Sequence, residues 1–272
     1  ADFIAFTPEQ AQRDIRLFSG RCRQYIFISS ASAYAKPMPY PVLTESTALK
    51  NPYWRYSREK AACEDVLMRA WREDNFPVTI VRPSHTYCER SVPVAMHGRC
   101  GSFAVIERIR TGRKVIIPGD GTTWWTTTHS RDFARGFAGL MGNPHAIGEA
   151  VHITSDESLT WNQIYQCIAS ALGVELHAVH IASETLAALC DDYVGALLGD
   201  KSNSVLFDNA KLKRLVPGFT ATIRYDQGVR EALDYIYAHP ELQKPDPEFD
   251  AWCDEVIERY ESAVAQLPKM AC

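Results

Sequence analysis

The chain carries eight cysteines (22, 63, 88, 100, 167, 190, 253 and 272) in 272 residues, yet it has no C-x-x-C pair. Spacing this wide and irregular argues against a disulfide framework or a cysteine zinc site. It predicts reduced thiols, mostly buried, in a cytoplasmic setting. A surplus of basic charge is also missing: 29 Lys+Arg against 33 Asp+Glu give a net charge of −4. That balance makes a dedicated nucleic-acid binder an unfavoured reading. No run approaches the ~18 apolar residues of a membrane span. Charged residues interrupt the stretch from Ala1 to Gln24, which therefore does not read as a signal peptide. There is no internal repeat and no G-x-S-x-G elbow for a serine hydrolase. What is present is a globular composition, 46% hydrophobic, in a chain long enough to bury a core without staples.

His177 and His180 form an H-x-x-H pair inside a stretch of alternating apolar residues that reads as a strand. Residues three apart on a strand face opposite ways, so no shared metal is expected there. Apolar, β-branched runs predict further strands at 24–29, 77–82, 114–117 and 150–154, and an opening apolar segment at 3–6. Apolar residues at helical spacing predict helices at 53–73, 102–111, 131–141, 161–172, 182–189, 225–238 and 250–265. Strands alternating with helices imply an α/β fold with a parallel sheet covered on both faces. Ligands of such sheets bind at the carboxyl ends of the strands. The segments after residues 6, 29 and 82 therefore draw attention.

After the second of these strands comes Ser29-Ser-Ala-Ser-Ala-Tyr34, and the next helix carries Tyr56-Ser-Arg-Glu-Lys60. Tyr56 and Lys60, four apart, share a helix face, so an ammonium can sit beside a phenol and favour its ionised form. Ser30 can orient an alcohol or carbonyl oxygen towards that phenol, an arrangement for proton transfer at oxygen. With 12 tyrosines in the chain, the Y-x-x-x-K spacing alone is weak. Its weight comes from its place, at a helix start after a strand that ends in Ser-Ser.

With these residues in order, the chain resembles the extended, atypical short-chain dehydrogenase/reductases, the NAD(P)-dependent sugar epimerases and dehydratases. The resemblance rests on Tyr25-Ile-Phe-Ile-Ser-Ser30 with Tyr34, on Glu45, and on Tyr56-x-x-x-Lys60-x-x-x-Glu64. It continues through Val81-Arg-Pro83 with Tyr87, Pro118-Gly-Asp-Gly121, His129-x-x-Asp132-x-Ala134, the strand 151–154, and Phe207-Asp208 with Lys211 and Leu215. It implies a Rossmann-like, doubly wound parallel sheet with a smaller C-terminal α/β substrate-binding lobe. Residues 1–87 and 129–155 would belong to the dinucleotide-binding part, and 88–128 and 156–272 to the lobe. It implies Tyr56 as general acid/base, Lys60 lowering its pKa and holding the nicotinamide ribose, and Ser30 on the reacting oxygen. Phe3, Ile4, Ala5, Ser29, Tyr56, Lys60, Pro83 and Ser84 would contact NAD or NADP, and His85 and Trp125 would face a small-molecule substrate. A homodimer through the Tyr56–Lys60 helix follows by the same resemblance.

The short link between Phe6 and Gln24 is similar to that of a divergent branch including the chloroplast stem-loop-binding proteins. This gives an alternative reading, a non-catalytic RNA-binding or regulatory protein on the same fold.

Three departures modify the expectation. No strand and glycine-rich turn opens the chain to receive a pyrophosphate. Residues 1–6 read as the fourth strand of the family pattern, so the N-terminal βαβ units are missing and a longer protein is expected. The one G-x-x-G-x-x-G, Gly136 to Gly142, lies inside a helical pattern and reads as small residues for close packing. Trp125 stands where nucleotide-sugar enzymes often place an arginine, and an indole cannot pair a phosphate. That favours a less charged sugar or another carbonyl or alcohol. Cys88 stands where glycine is usual after Tyr87, so the substrate loop is expected to be reshaped. His129 and Asp132 read as structural supports, and Lys211–Arg214 as a solvated helix face.

Overall fold

The computed structural model describes residues 1–38, 40–268 and 270. Its central sheet is built from β1 (Tyr25–Ile28), β3 (Val78–Pro83) and β8 (Ala150–Ile153), all parallel, in the order β1-β3-β8. Between β1 and β3 lie the two-residue strand β2 (Val42–Leu43) and helix α2 (Arg55–Asp74). Asn75, with φ of 56°, ends α2 by turning the chain left-handed, and its N–H bonds the Trp71 carbonyl.

Alternation along the strands sends side chains to both faces, as a sheet covered on both sides requires. Tyr25, Phe27, Val78 and Ile80 pack with Ala11, Cys63, Leu67 and Ala70 of the helices on one face. Ile26, Val81, Val151 and Ile153 pack on the other face with Leu140, Leu212 and Phe219. Leu140 ends α4 (Ser130–Leu140) and Leu212 lies in α7 (Ala210–Leu215). The G-x-x-G-x-x-G run lies mostly in α4 and serves this packing. A Cβ on Gly136 would lie 2.8 Å from Ile153 Cγ2, and one on Gly139 would lie 2.3 Å from Val216 Cγ1.

The larger third cluster packs α3 (Phe103–Arg110), α5 (Trp161–Leu172), α6 (Ser183–Leu189), α8 (Tyr225–Ala238) and α9 (Pro247–Ala265). They pack around β5 (Val115–Pro118) and β10 (Ala178–Ile181), which pair in parallel. Three short pairings form separate two-stranded sheets. They join β4 (His85–Tyr87) to β7 (Thr127–His129), β6 (Trp124–Trp125) to β9 (Leu159–Thr160), and β2 to β11 (Leu206–Phe207).

Two expectations change. The opening segment 3–6 is not a strand: only Asp2 bridges β1, at Phe27, and Phe3 and Ile4 stand 54% and 73% exposed. Aromatic, β-branched content suggested a strand, but Asp2 Oδ1 accepts from the Ile4 and Ala5 N–H groups and bends the chain. The link before Gln24 is largely a helix, α1 (Pro8–Phe18), packed on α2. Its signal was legible in Thr7-Pro-Glu-Gln10, with proline at the first helical position. The Gln10 side-chain oxygen accepts from the Phe6 and Thr7 N–H groups.

The seven described cysteines are free. Only Cys63 and Cys253 are buried; Cys22, Cys88, Cys167 and Cys190 are half-buried and Cys100 is exposed, so burial is less common among them than their number suggested. Cys272 lies outside the described residues. Among the described residues no helix is long and apolar enough to cross a membrane.

Candidate active site

The carboxyl ends of β1 and β3 open onto a cleft of about 450 Å³. Ser30 follows β1, Tyr56 stands in the first turn of α2, Pro83 and Ser84 follow along β3, and His85 opens β4. All five line the cleft, together with Trp125 from β6. The far wall comes from further along the chain: Asp200 and Lys201 end a π-helical turn, Val194–Lys201, and Val205 and Phe207 follow it.

Hydrogen bonds hold the serine loop in place. Ser57 Oγ, fully buried, donates to Ser32 Oγ at 2.8 Å, and the Ser32 and Ser30 hydroxyls lie 2.9 Å apart. Buried Asn51 donates through Nδ2 to the Ser32 and Gly199 carbonyls, both at 2.7 Å. One amide thus ties the loop of Ser30 to the turn of Asp200. Gly195 makes the approach possible, since a Cβ there would lie 2.4 Å from Trp54 Cδ1.

The electrostatics of Tyr56 differ from the expectation. Burial raises its pKa and the Asp200 charge adds to this, while the Ser30 hydroxyl pulls the other way. In this arrangement the Lys60 ammonium is engaged by backbone carbonyls. Its Nζ lies 5.9 Å from the Tyr56 ring centroid and donates to the carbonyls of Ala5 and Ile28, at 2.8 and 2.7 Å. Burial lowers the pKa of Lys60 itself. Y-x-x-x-K spacing put both side chains on one helix face, but the carbonyls of two neighbouring segments hold the ammonium.

The remaining sequence candidates separate. Ala5 is fully buried and its carbonyl accepts from Lys60 Nζ, whereas Phe3 and Ile4 are exposed and do not line the cleft. Ser29 Oγ is buried and has no hydrogen-bond partner among the described residues. His85 Nδ1 accepts from Trp125 Nε1 at 3.3 Å. Trp54, Asp200 and Lys201 were not anticipated; no local pattern marks them, because their role comes from packing across the chain.

A family model described as the NAD dependent epimerase/dehydratase family matches residues 15–154. The chain belongs to that family. It is 26% identical over 196 residues to the 2'-dehydrokanamycin reductase of Streptomyces kanamyceticus, covering 71% of this chain and 54% of that protein. The chain thus spans about half the length of this curated relative. Among solved structures, a UDP-glucuronic acid 4-epimerase from Bacillus cereus superposes with a TM-score of 0.67 at 19% identity, covering 84% of this chain and 66% of that one. The epimerase Mth375 from Methanothermobacter thermautotrophicus gives 0.69 at 16% identity, covering 86% and 65%. At these identities the structures establish the Rossmann-like fold.

Other residues that carried the epimerase-family resemblance meet beneath the cleft in one buried network. Arg82 donates from Nε and Nη2 to the Glu64 carboxylate, and from Nη1 to Tyr34 Oη and the Glu45 carbonyl, both at 2.9 Å. Tyr34 Oη in turn pairs with His152 Nε2, and the His152 N–H donates to Glu45 Oε1 at 3.0 Å. Four of the family positions, Tyr34, Glu45, Glu64 and Arg82, thus hold β3, β8, α2 and two loops together. Asp132 is likewise structural: buried, it accepts from the Thr222 and Ile223 N–H groups. His129 caps α4 by accepting from the Arg131 N–H. The Lys211–Arg214 cluster lies on α7, where Lys211 pairs with Glu149 and Lys213 with Asp156.

Proposed function

We propose that the protein is an NAD(P)-dependent oxidoreductase, epimerase or dehydratase acting on a sugar-like or other carbonyl or alcohol substrate. Tyr56 is the proton donor and acceptor at the reacting oxygen. The observation that carries this reading is the pairing of the Ser30 hydroxyl and the Tyr56 phenol on one cleft at the carboxyl ends of two parallel strands. Family membership supports it, as does the description of the Bacillus cereus epimerase in complex with NAD.

The residues present fit the nicotinamide half of a dinucleotide. Ser29 Oγ, just after β1, is a buried polar atom with no partner among the described residues, and the Ser29 N–H donates to the Val81 carbonyl of β3. Ser29, Tyr56, Lys60, Pro83 and Ser84 would hold that half. When bound, the cofactor supplies hydride exchange, which no side chain performs.

The chain's own groups do the rest. With its pKa raised, Tyr56 is a neutral phenol at neutral pH and holds a proton for a carbonyl oxygen. In the reverse direction it takes that proton back from the alcohol. Ser30 Oγ hydrogen-bonds the same oxygen, and Ser32 and Ser57 fix its direction. Indole rings at Trp54 and Trp125 give the cleft an apolar wall suited to an uncharged ring.

Tyr56→Phe removes the proton and keeps the ring. Turnover of a carbonyl substrate should fall by about 10²–10⁴-fold. Dinucleotide affinity, followed by nicotinamide fluorescence, should stay within a few-fold of the unmodified protein. Unchanged turnover overturns the assignment.

A further inference from the structure

Trp125 replaces the arginine expected from the family pattern, and its ring N–H has an acceptor inside the site. Trp125 Nε1 donates to His85 Nδ1 at 3.3 Å, and the two rings meet edge to face with centroids 6.4 Å apart. The indole is itself clamped. It is 5% exposed and stacks on the buried Trp161 ring, with centroids 5.3 Å apart and planes 28° apart. Trp161 Nε1 donates to the Lys201 carbonyl at 3.0 Å, which fixes the stack to the opposite wall of the cleft. A neutral imidazole that accepts at Nδ1 carries its hydrogen on Nε2. His85 Nε2 takes no hydrogen-bond partner among the described residues, and the ring lines the cleft that holds Ser30 and Tyr56.

We propose that Trp125 is a positioning residue that holds His85 as the neutral Nε2–H tautomer, a hydrogen-bond donor for an uncharged hydroxyl or carbonyl oxygen of the substrate. The inference rests on the reading of the cleft as a carbonyl/alcohol site and narrows its ligand to an uncharged oxygen. Protonation of Nδ1 would set two N–H groups against each other, so the indole opposes the charged imidazolium. The charged and titratable groups around His85 act in the same sense or lie across the cleft. Lys201, from the π-helical turn, and His97, from the loop after β4, both disfavour a positive ring, and burial is the largest cause. Together they push the His85 pKa down to about 3. Asp200 and Tyr56 share the cleft, and Lys201 Nζ lies 3.9 Å from the Asp200 carboxylate. A neutral donor brings no charge to a phosphate and suits a sugar oxygen.

The test reads the ring nitrogens directly. Long-range proton–nitrogen NMR spectra of ¹⁵N-labelled full chain, with the His85 signals assigned from His85→Gln, report tautomer and charge without any need for turnover. His85 should give the Nε2–H pattern, unchanged from pH 8 to pH 5. Trp125→Phe keeps an aromatic ring against Trp161 and removes the N–H. Its His85 should show a mixed tautomer and an apparent pKa at least about one unit higher, a tenfold shift in the protonation constant. An Nδ1–H pattern in the unmodified protein, protonation near the ordinary histidine value, or a Trp125→Phe titration superposing on the original overturns the proposal. Should Trp125→Phe fail to fold, the spectrum of the unmodified protein decides alone. Loss of the enzymatic reading would show as absent turnover with the Nε2–H pattern intact, so the two failures are distinguishable.

Discussion

Two polar regions lie back to back on the same strands, and they treat hydrogen bonds in opposite ways. In the Arg82 network the guanidinium donates to Glu64, Tyr34 and Glu45, and nearly every side chain is buried. One residue further along β3 the cleft begins. There the His85 ring uses one nitrogen, and the Tyr56 phenol meets the Ser30 hydroxyl. Hydrogen-bonding capacity spent internally holds the fold, whereas capacity left over at a concave surface is available to a ligand. This distinction divides the family positions: Tyr34, Glu45, Glu64 and Arg82 support, and Ser30, Tyr56 and His85 face the cleft.

The comparison can be broken at either region. The largest stability change is expected from Arg82→Ala, which leaves the Glu64 carboxylate buried and unpaired. Unfolding by urea should show a loss of about 3–5 kcal/mol. A loss below about 1 kcal/mol would mean that the network is decoration. On the cleft side, Tyr56→Phe should leave the urea midpoint unchanged while turnover collapses.

Acid tests both regions at once. His85 in the cleft and His152 in the network have pKa values pushed down to about 3, mainly by burial. In the unfolded chain each takes a proton below about 6.5. Between these values the unfolded state binds more protons. The contribution is therefore complete above pH 6.5 and is lost as pH falls. Stability should decline by about 1 kcal/mol per pH unit for each histidine between pH 6.5 and 5. His85→Gln should remove one share of that slope, and an unaltered slope would show that the cleft histidine is not held neutral.

The smallest effect is expected at Ser57→Ala. Among the described residues the Ser57 hydroxyl hydrogen-bonds only Ser32, so its loss should cost about 1 kcal/mol of orientation at Ser30, read as roughly a fivefold drop in kcat/KM. An unchanged kcat/KM would mean that Ser30 is oriented by its loop alone.

Much of this was legible in the residues. Apolar periodicity located α5 and α8 to the residue and the sheet strands to within one or two residues. Motif order placed Ser30, Tyr56, Pro83, Ser84, His85 and Trp125 on one cleft. Other features were not legible, for reasons that can be named. Local hydrogen bonds from Asp2 bent the segment at Phe3 and Ile4 that composition marked as a strand. The π-helical turn that supplies Asp200 and Lys201 has no sequence signature and takes its shape from packing against Trp54 and Asn51.

By itself the sequence determined the family, the alternation of strands and helices, and the types of side chain offered to the cleft. These depend on periodicity and motif order, which are properties of neighbours along the chain. Tertiary structure alone decided what each side chain does there. It turned the Lys60 ammonium to the Ala5 and Ile28 carbonyls, set Asp200 across from Tyr56, and brought the Trp125 indole N–H against His85. Hydrogen bonding and burial act between segments far apart in the chain, and they set charge, tautomer and direction only once those segments meet.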